Sequence, residues 1–392
     1  MPLHSGRTQN SEPAGLIRPF MPELDTLRGI AVLGVLLLHG FYWQYAGFSF
    51  GRLGRIFVVL TGPGWLGVNL FFVLSGFLIT GILLDSKNRP NFYRRFYTRR
   101  ALRILPAYYG LLVLLLVLRS SSPAFVGLSF VYLANMTGFF GVACDYGPLW
   151  SLAVEEHFYI LWPTVVRKVT MQRLAWVSAS IVVLVPVLRA VAFSVGWGGL
   201  DWYTWFVADG LAAGSLLAIL LRTNVSRKQM KQMCWLLLAS SVLLAGAGQP
   251  FGMLTRNRLL GASLQWTTIN VFFSGVLLLF LVAGSGAAKR FVDIPALRFL
   301  GYISYGLYLD HLLAFRLYDR IFRHYGPGLM PSNGHFELVL LRFAVGGGAA
   351  IGVAYLSRRF YEERFLRLKD SLVPDSSRGN ETSIPVGDTQ AA

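Results

Sequence analysis

Cysteine is nearly absent. Cys144 and Cys234 are the only two in 392 residues, which excludes a disulfide framework and leaves no metal-ligand spacing. Charge is scarce as well: only 14% of residues are Asp, Glu, Lys or Arg, and the acids are the rarer kind, 19 against 36 Lys and Arg. A soluble chain of this length needs a polar shell that such a composition does not supply. The first twenty residues contain no apolar core followed by a small-residue cleavage site, so no removable signal peptide is read and the first spanning helix acts as its own targeting signal. No internal repeat and no appended soluble domain is evident.

What fills the chain instead is apolar. The hydrophobic fraction is 54% and the mean hydropathy +0.53, values of an integral membrane protein. The formal net charge of +17 resembles that of a nucleic-acid binder, but the basic residues sit in short loops between apolar runs, as membrane topology demands. Runs long enough to span occur at about 25–43, 64–84, 101–118, 149–166, 174–195, 203–221, 233–247, 264–283, 299–315 and 336–357, with the seventh distinctly short. A further apolar piece, Ala124 to Val142, is interrupted by Gly127, Asn135, Thr137 and Gly138. Placing it at the outer surface or as a re-entrant piece puts 26 of the 36 Lys and Arg in cytoplasmic segments and 8 outside, as the positive-inside rule requires. The expected fold is therefore all-α and polytopic, with ten transmembrane helices and both termini cytoplasmic. Residues 21–368 form the membrane domain, and 1–20 and 369–392 are polar tails expected to be disordered. One region fits poorly: Arg316, Arg320 and Arg323 fall beyond the outer end of the ninth span, so that helix either extends or carries a functional basic face.

The stretch PELDTLRGIAVLGVLLLHG, Pro22 to Gly40, organises the rest. Arg28 and His39 are eleven positions apart, almost three helical turns, so they share a face roughly 16 Å apart. Asp25 lies roughly 40° off that face. Ionisable groups in one stripe of a spanning helix are costly unless they line a cavity; the plainer alternative makes Arg28 an interfacial flank and His39 a packing residue.

Three later segments carry the same kind of signal. In the second span, Ser75 and glycines 67, 76 and 81 permit close helix approach, while Asn69 is placed to orient a histidine or a substrate hydroxyl. FYRRFYTRRALRILPAYYG opens the third span with Arg100 and Arg103 on one helical face, and the planar guanidinium fork suits phosphate. The neighbouring arginines are equally accounted for by topology and anionic lipid. LWSLAVEEHFYILWP places Glu155, Glu156 and His157 roughly 10 Å inside a helix, where carboxylates are seldom filler. ISYGLYLDH adds Tyr308 and His311, the latter in a supporting role.

LDTLRGIAVLGVLLLH, GVNLFFVLSGFLITGIL, FYTRRALRILPAYY, LWSLAVEEHFYILWP and ISYGLYLDH, in that order, together resemble the membrane acyltransferase-3 family of bacterial carbohydrate and lipid O-acyltransferases, over about residues 20–360. The resemblance implies a ten-helix inner-membrane enzyme that takes an acyl group, usually acetyl, from cytoplasmic acyl-CoA and delivers it to a hydroxyl of an extracytoplasmic carbohydrate or glycolipid. It carries the family's essential Arg and His onto Arg28 and His39, its donor-associated Arg-x-x-Arg onto Arg100 and Arg103, and its Trp-Ser-Leu and paired-Glu segment onto Trp150, Ser151, Glu155 and Glu156. The chain departs from the family pattern at Asn69, where an acid is common, and at His157, where Gln is common. It also lacks the hydrolase-like domain that some relatives carry after the membrane domain, so the membrane domain is expected to complete the transfer.

Elementary chemistry runs the same way. An alcohol is a poor nucleophile, and a neutral histidine is a natural general base for its attack on a thioester. Arg100 and Arg103 would hold CoA phosphates, the pantetheine arm would pass Arg28, and His39 would meet the thioester, with Glu155 or Glu156 orienting or balancing it. Asp25, Asn69, Trp150, Ser151 and His311 complete the expected site; no metal is called for, and the partners are membrane lipid, acyl-CoA and the acceptor, not nucleic acid. Two other classes use the same polar stripes: an exporter of polysaccharide or lipid-linked sugar, and a proton-coupled transporter.

Overall fold

The computed structural model describes residues 21–223, 225–284 and 288–372. Among them are helices and turns and no strand, as expected where every backbone polar group must be satisfied within lipid. Numbering the helices of eight residues or more, these are α1 (Pro22–Leu37), α2 (Arg52–Thr61), α3 (Leu66–Ser86), α4 (Phe92–Val117), α5 (Pro123–Phe130), α6 (Leu149–Lys168), α7 (Met171–Ser194), α8 (Thr204–Leu220), α9 (Arg227–Gly248), α10 (Leu259–Gly284), α11 (Pro295–Tyr302), α12 (Ser304–Tyr325), α13 (Phe336–Leu356) and α14 (Glu363–Leu372). The expected tails at 1–20 and from 373 lie outside the described residues. Of the carboxyl tail expected from 369, residues 369–372 are described and belong to α14.

Among the described residues, seven helical segments are long and apolar enough to cross a membrane: Pro22–Tyr45, Arg52–Ser86, Phe92–Val117, Met171–Ser194, Arg227–Phe251, Leu259–Gly284 and Phe336–Leu368. The count of ten expected from the sequence also includes α6, α8 and α12. α8 has 17 residues, whereas α6 and α12 are diluted by their own polar groups, Glu155, Glu156 and His157 in one and Asp310, His311 and Arg316 in the other. The short seventh run is in fact a 22-residue helix, begun earlier by a reciprocal Ser226–Gln229 cap. The interrupted segment 124–142 does not span: α5 is eight residues long and turns follow it. The ninth run is broken at Ile303 between α11 and α12, and α12 then continues to Tyr325, taking Arg316, Arg320 and Arg323 onto the helix.

The bundle is densest around α1 and α3. α3 is apolar on all sides, the pattern of a helix enclosed by others, and the apolar 18-residue stretch of its segment is 72% buried, against 17% for that of the segment containing α9. Glycine makes the two closest crossings possible. A Cβ on Gly76 would lie 1.9 Å from the carbonyl oxygen of Leu211, and one on Gly214 would lie 2.0 Å from that of Val73, which locks α3 to α8. Gly29 and Gly301 do the same for α1 and α11, against Leu297 and Asp25. α1 ends by widening into a π-helical turn, Leu38–Tyr42, which carries His39. Such turns redirect side chains at the expense of regular hydrogen bonding.

Candidate active site

α3, α4, α6 and α12 enclose a cavity of about 150 Å³. Its polar lining is Arg28, Ser75, Arg100, Arg103, Ser151, Glu155, Glu156, Tyr159, Ser304, Tyr305 and Tyr308, set among Phe71, Phe72 and aliphatic side chains. Arg100 and Arg103 also line a larger groove, about 410 Å³, together with Arg89, Arg95 and Arg99. The shared arginines make the groove the approach to the cavity.

Each polar group is placed by its own helix. Arg28 is ion-paired to Asp25, one turn earlier on α1, at 2.7 Å. Glu155 accepts a hydrogen bond from Ser75 at 2.9 Å and another from Tyr159, one turn further along α6, at 2.7 Å. Arg100 lies over the Tyr159 ring, 4.1 Å from its centre, a cation–π contact in a water-poor setting. Arg103 feels the charges of Arg28, Arg100 and Arg358, and Glu155 those of Arg28 and Arg100. Hydrogen-bonding capacity is left over. Among the described residues, Nε of Arg100 and Oε1 of Glu156 are buried without a hydrogen-bond partner.

Tyr308 lines the cavity on the side of the histidines. Its hydroxyl shares a 2.5 Å hydrogen bond with Ser151, and its ring centre lies 6.1 Å from that of His311. Behind it, Nε2 of His311 meets Nδ1 of His39 at 3.2 Å. Each imidazole also places Nδ1 3.0 Å from a carbonyl oxygen one turn back, Val35 for His39 and Leu307 for His311. A carbonyl can only accept, so both Nδ1 atoms carry hydrogen. His311 Nε2 therefore presents a lone pair to the Nδ1–H of His39, which it shares with the Val35 carbonyl, and His39 Nε2 is left as an open lone pair, the form a general base needs.

The acyltransferase-3 family model, described as an acyltransferase domain, matches residues 21–359. The chain belongs to this family. It is similar to the peptidoglycan O-acetyltransferase OatA of Listeria monocytogenes, 34% identical over 37% of this chain and 24% of the relative. It is similar also to the "Putative O-acetyltransferase SAS0844" of Staphylococcus aureus, 27% identical over 88% of this chain and 57% of the relative. The matched regions thus span about a quarter to just over half of these relatives. No solved structure matches the chain.

Within this member of the family, then, the residues singled out in the sequence do not all fall in one place. Arg28, Arg100, Arg103, Ser151, Glu155 and Glu156 line one cavity, with Asp25 holding Arg28. His39 and His311 form a pair behind Tyr308. The glutamates thus stand with the arginines: the hydrogen bonds of His39 go to Val35 and His311, and those of Glu155 to Ser75 and Tyr159. Asn69 donates to Asn270 at 2.9 Å in a buried amide pair between α3 and α10, and holds neither a histidine nor a cavity position. Trp150 packs among Phe72, Trp202 and Trp266, and His157 bonds Thr204 at 2.7 Å on another face of α6. Sequence reasoning treated Ser75 as a packing residue and passed over Tyr159. The latter had a readable signal, four positions after Glu155 and so on its helical face; Ser75 had none.

Proposed function

We propose that this chain is an acyl-CoA-dependent O-acyltransferase of the bacterial inner membrane, acting on a hydroxyl of an extracytoplasmic carbohydrate or glycolipid. The observation that carries the reading is the continuity from the arginine groove through Arg100 and Arg103 into the cavity that Tyr308 lines. A donor with a phosphate-bearing head and a long, narrow arm fits that shape, and the partnerless Nε of Arg100 supplies a donor that phosphate would satisfy. Among the described residues, neither Arg100 nor Arg103 has an ion pair, while Arg28 is committed to Asp25 and Arg358 to Glu362.

On this reading the acceptor hydroxyl gives its proton to Nε2 of His39 as its oxygen attacks the thioester carbonyl. The carbon–sulfur bond then breaks, and the CoA thiolate recovers that proton from the imidazolium. His311 holds His39 in the required tautomer through the Nδ1–H···Nε2 contact. Glu155 and Glu156 offset the charge of the arginines, so that the cavity accepts an arm rather than a second phosphate.

The test is transfer of labelled acetyl from acetyl-CoA by the purified protein in lipid, with His39→Ala and Arg103→Ala alongside. Consumption of acetyl-CoA by wild type and not by His39→Ala supports the reading. Failure of wild type to bind or consume acyl-CoA of any chain length refutes it and favours export.

A further inference from the structure

The basic residues that fit the topology poorly, Arg316, Arg320 and Arg323, line a depression of about 650 Å³ together with Gln44, Arg119, Ser120, Asp145, Asp319 and His324. It lies at the far end of the bundle from the arginine groove. α4 shows this directly: Arg95, Arg99, Arg100 and Arg103 near its start line the groove, while the carbonyl of Leu118, just past its end, accepts a 2.7 Å hydrogen bond from Arg320. Fifteen residues of helix between Arg103 and Leu118 amount to roughly 22 Å.

The depression is connected to the histidine pair by two routes. α12 presents Tyr308 to the cavity, His311 to His39, and Arg316 and Arg320 to the depression. From the other side, Trp43 packs on His39 with ring centres 5.9 Å apart, and the next residue, Gln44, is in the depression wall. Its charge is not balanced internally. Four arginines face two aspartates: the charge of Asp319 is taken by the guanidinium of Arg342 at 2.6 and 2.9 Å, and Asp145, held by the amide and hydroxyl of Ser122 at 2.8 and 2.6 Å, leaves one negative charge, which acts on Arg316. Those Ser122 hydrogen bonds keep the Asp145 carboxyl below its ordinary range. Arg316 is anchored to the carbonyls of Ser120 and Asp145. Arg119 and Arg323 make no side-chain hydrogen bond or ion pair among the described residues. Positive charge at this end also works against the inward bias of the other loops, so topology does not explain it.

We propose that this depression docks the acceptor and selects one that carries an anionic group, carboxylate or phosphate, near the hydroxyl to be acylated. The proposal rests on the acyltransferase reading. Arg119 and Arg323 supply the uncommitted forks that such a group takes, and the Trp43–Gln44 turn delivers the neighbouring hydroxyl toward Nε2 of His39.

The test is direct binding to the full-length protein in zwitterionic nanodiscs, with three probes of similar length: an oligogalacturonate, a glycerol-phosphate oligomer and a neutral oligogalactose. Acetyl-CoA binding is measured on the same samples. At least one anionic probe should bind wild type about tenfold or more tighter than the neutral one. The double variant Arg119→Gln, Arg323→Gln should lose that preference and keep acetyl-CoA binding, which also shows that it is folded. Equal binding of all three probes, no binding of either anionic probe, or a preference that survives in the double variant overturns the proposal. So does displacement of the anionic probe when the discs contain anionic lipid, which reassigns the arginines to headgroups. Absence of acetyl-CoA binding in wild type is a different result and removes the acyltransferase reading itself.

Discussion

Among the described residues, two of the polar clusters inside this apolar bundle are built on opposite principles. Around Arg189 everything is closed. The side chains of Arg189 and Asp209 are fully buried and paired at 3.1 Å. The guanidinium also donates to the carbonyls of Ser263 and Phe206 and to Thr267, and Thr267 donates to the same aspartate. In the cavity between α3, α4, α6 and α12, by contrast, Arg100 and Glu156 keep buried atoms without partners, and Arg103 makes no close ion pair among the described residues. A saturated network staples helices α7, α8 and α10; an unsaturated one is prepared for something that arrives. Charge inside a membrane protein marks function by default, and the contrast refines that rule: leftover hydrogen-bonding capacity is the sharper sign.

Substitutions can break this contrast. The largest effect on turnover is expected from His39→Ala, with acetyl transfer falling about 10²- to 10⁴-fold, the usual contribution of a general base, and thermal unfolding in detergent unchanged. A comparable loss of stability would instead make His39 a packing residue. In the closed network, Arg189→Leu leaves Asp209 buried and unpaired and should cost about 3–5 kcal/mol of stability. Restoring most of it with Arg189→Leu, Asp209→Leu would show that the pair has no chemical task. Arg103→Ala should do the reverse, raising KM for acetyl-CoA by about 10- to 100-fold, the equivalent of one charge-assisted hydrogen bond, with a small change in melting temperature. A fall in kcat at unaltered KM would move Arg103 from donor binding to the reacting groups. Ser75→Ala is the mildest case: removing one of the two hydrogen bonds to Glu155 should change turnover about fivefold, near 1 kcal/mol. No change at all would leave Tyr159 as the sole determinant of that carboxylate.

How much of this was legible in the sequence depended on range. Asp25 and Arg28, like Arg100 and Arg103, are three apart on one helical face, and Glu155 and Glu156 are adjacent; such spacings are local, so their convergence on one cavity followed once α1, α4 and α6 packed together. The contact between His39 and His311 joins positions 272 apart; the expected supporting role of His311 put it in the same site, but no local spacing told that the two rings touch. Depth matching made Glu155 and Glu156 candidate partners of His39. The structure gives that place to His311, because α12 rather than α6 carries the ring that meets the π-helical turn. Hydropathy counting found each long helix but ran α11 and α12 together, since the break at Ile303 has no proline or charge to mark it.

The glycine crossings bear on how variation in this chain is to be interpreted. A screen that scores only lost activity would rank Gly29→Ala beside His39→Ala, although Gly29 touches no reactant and the added methyl merely collides with the backbone at Leu297. The two defects differ in abundance: protein altered at the crossing should disappear from the membrane, and protein altered at the histidine should accumulate there intact. Position-by-position intolerance in this bundle therefore outlines its seams as strongly as its chemistry, and a measure of how much protein survives separates the two.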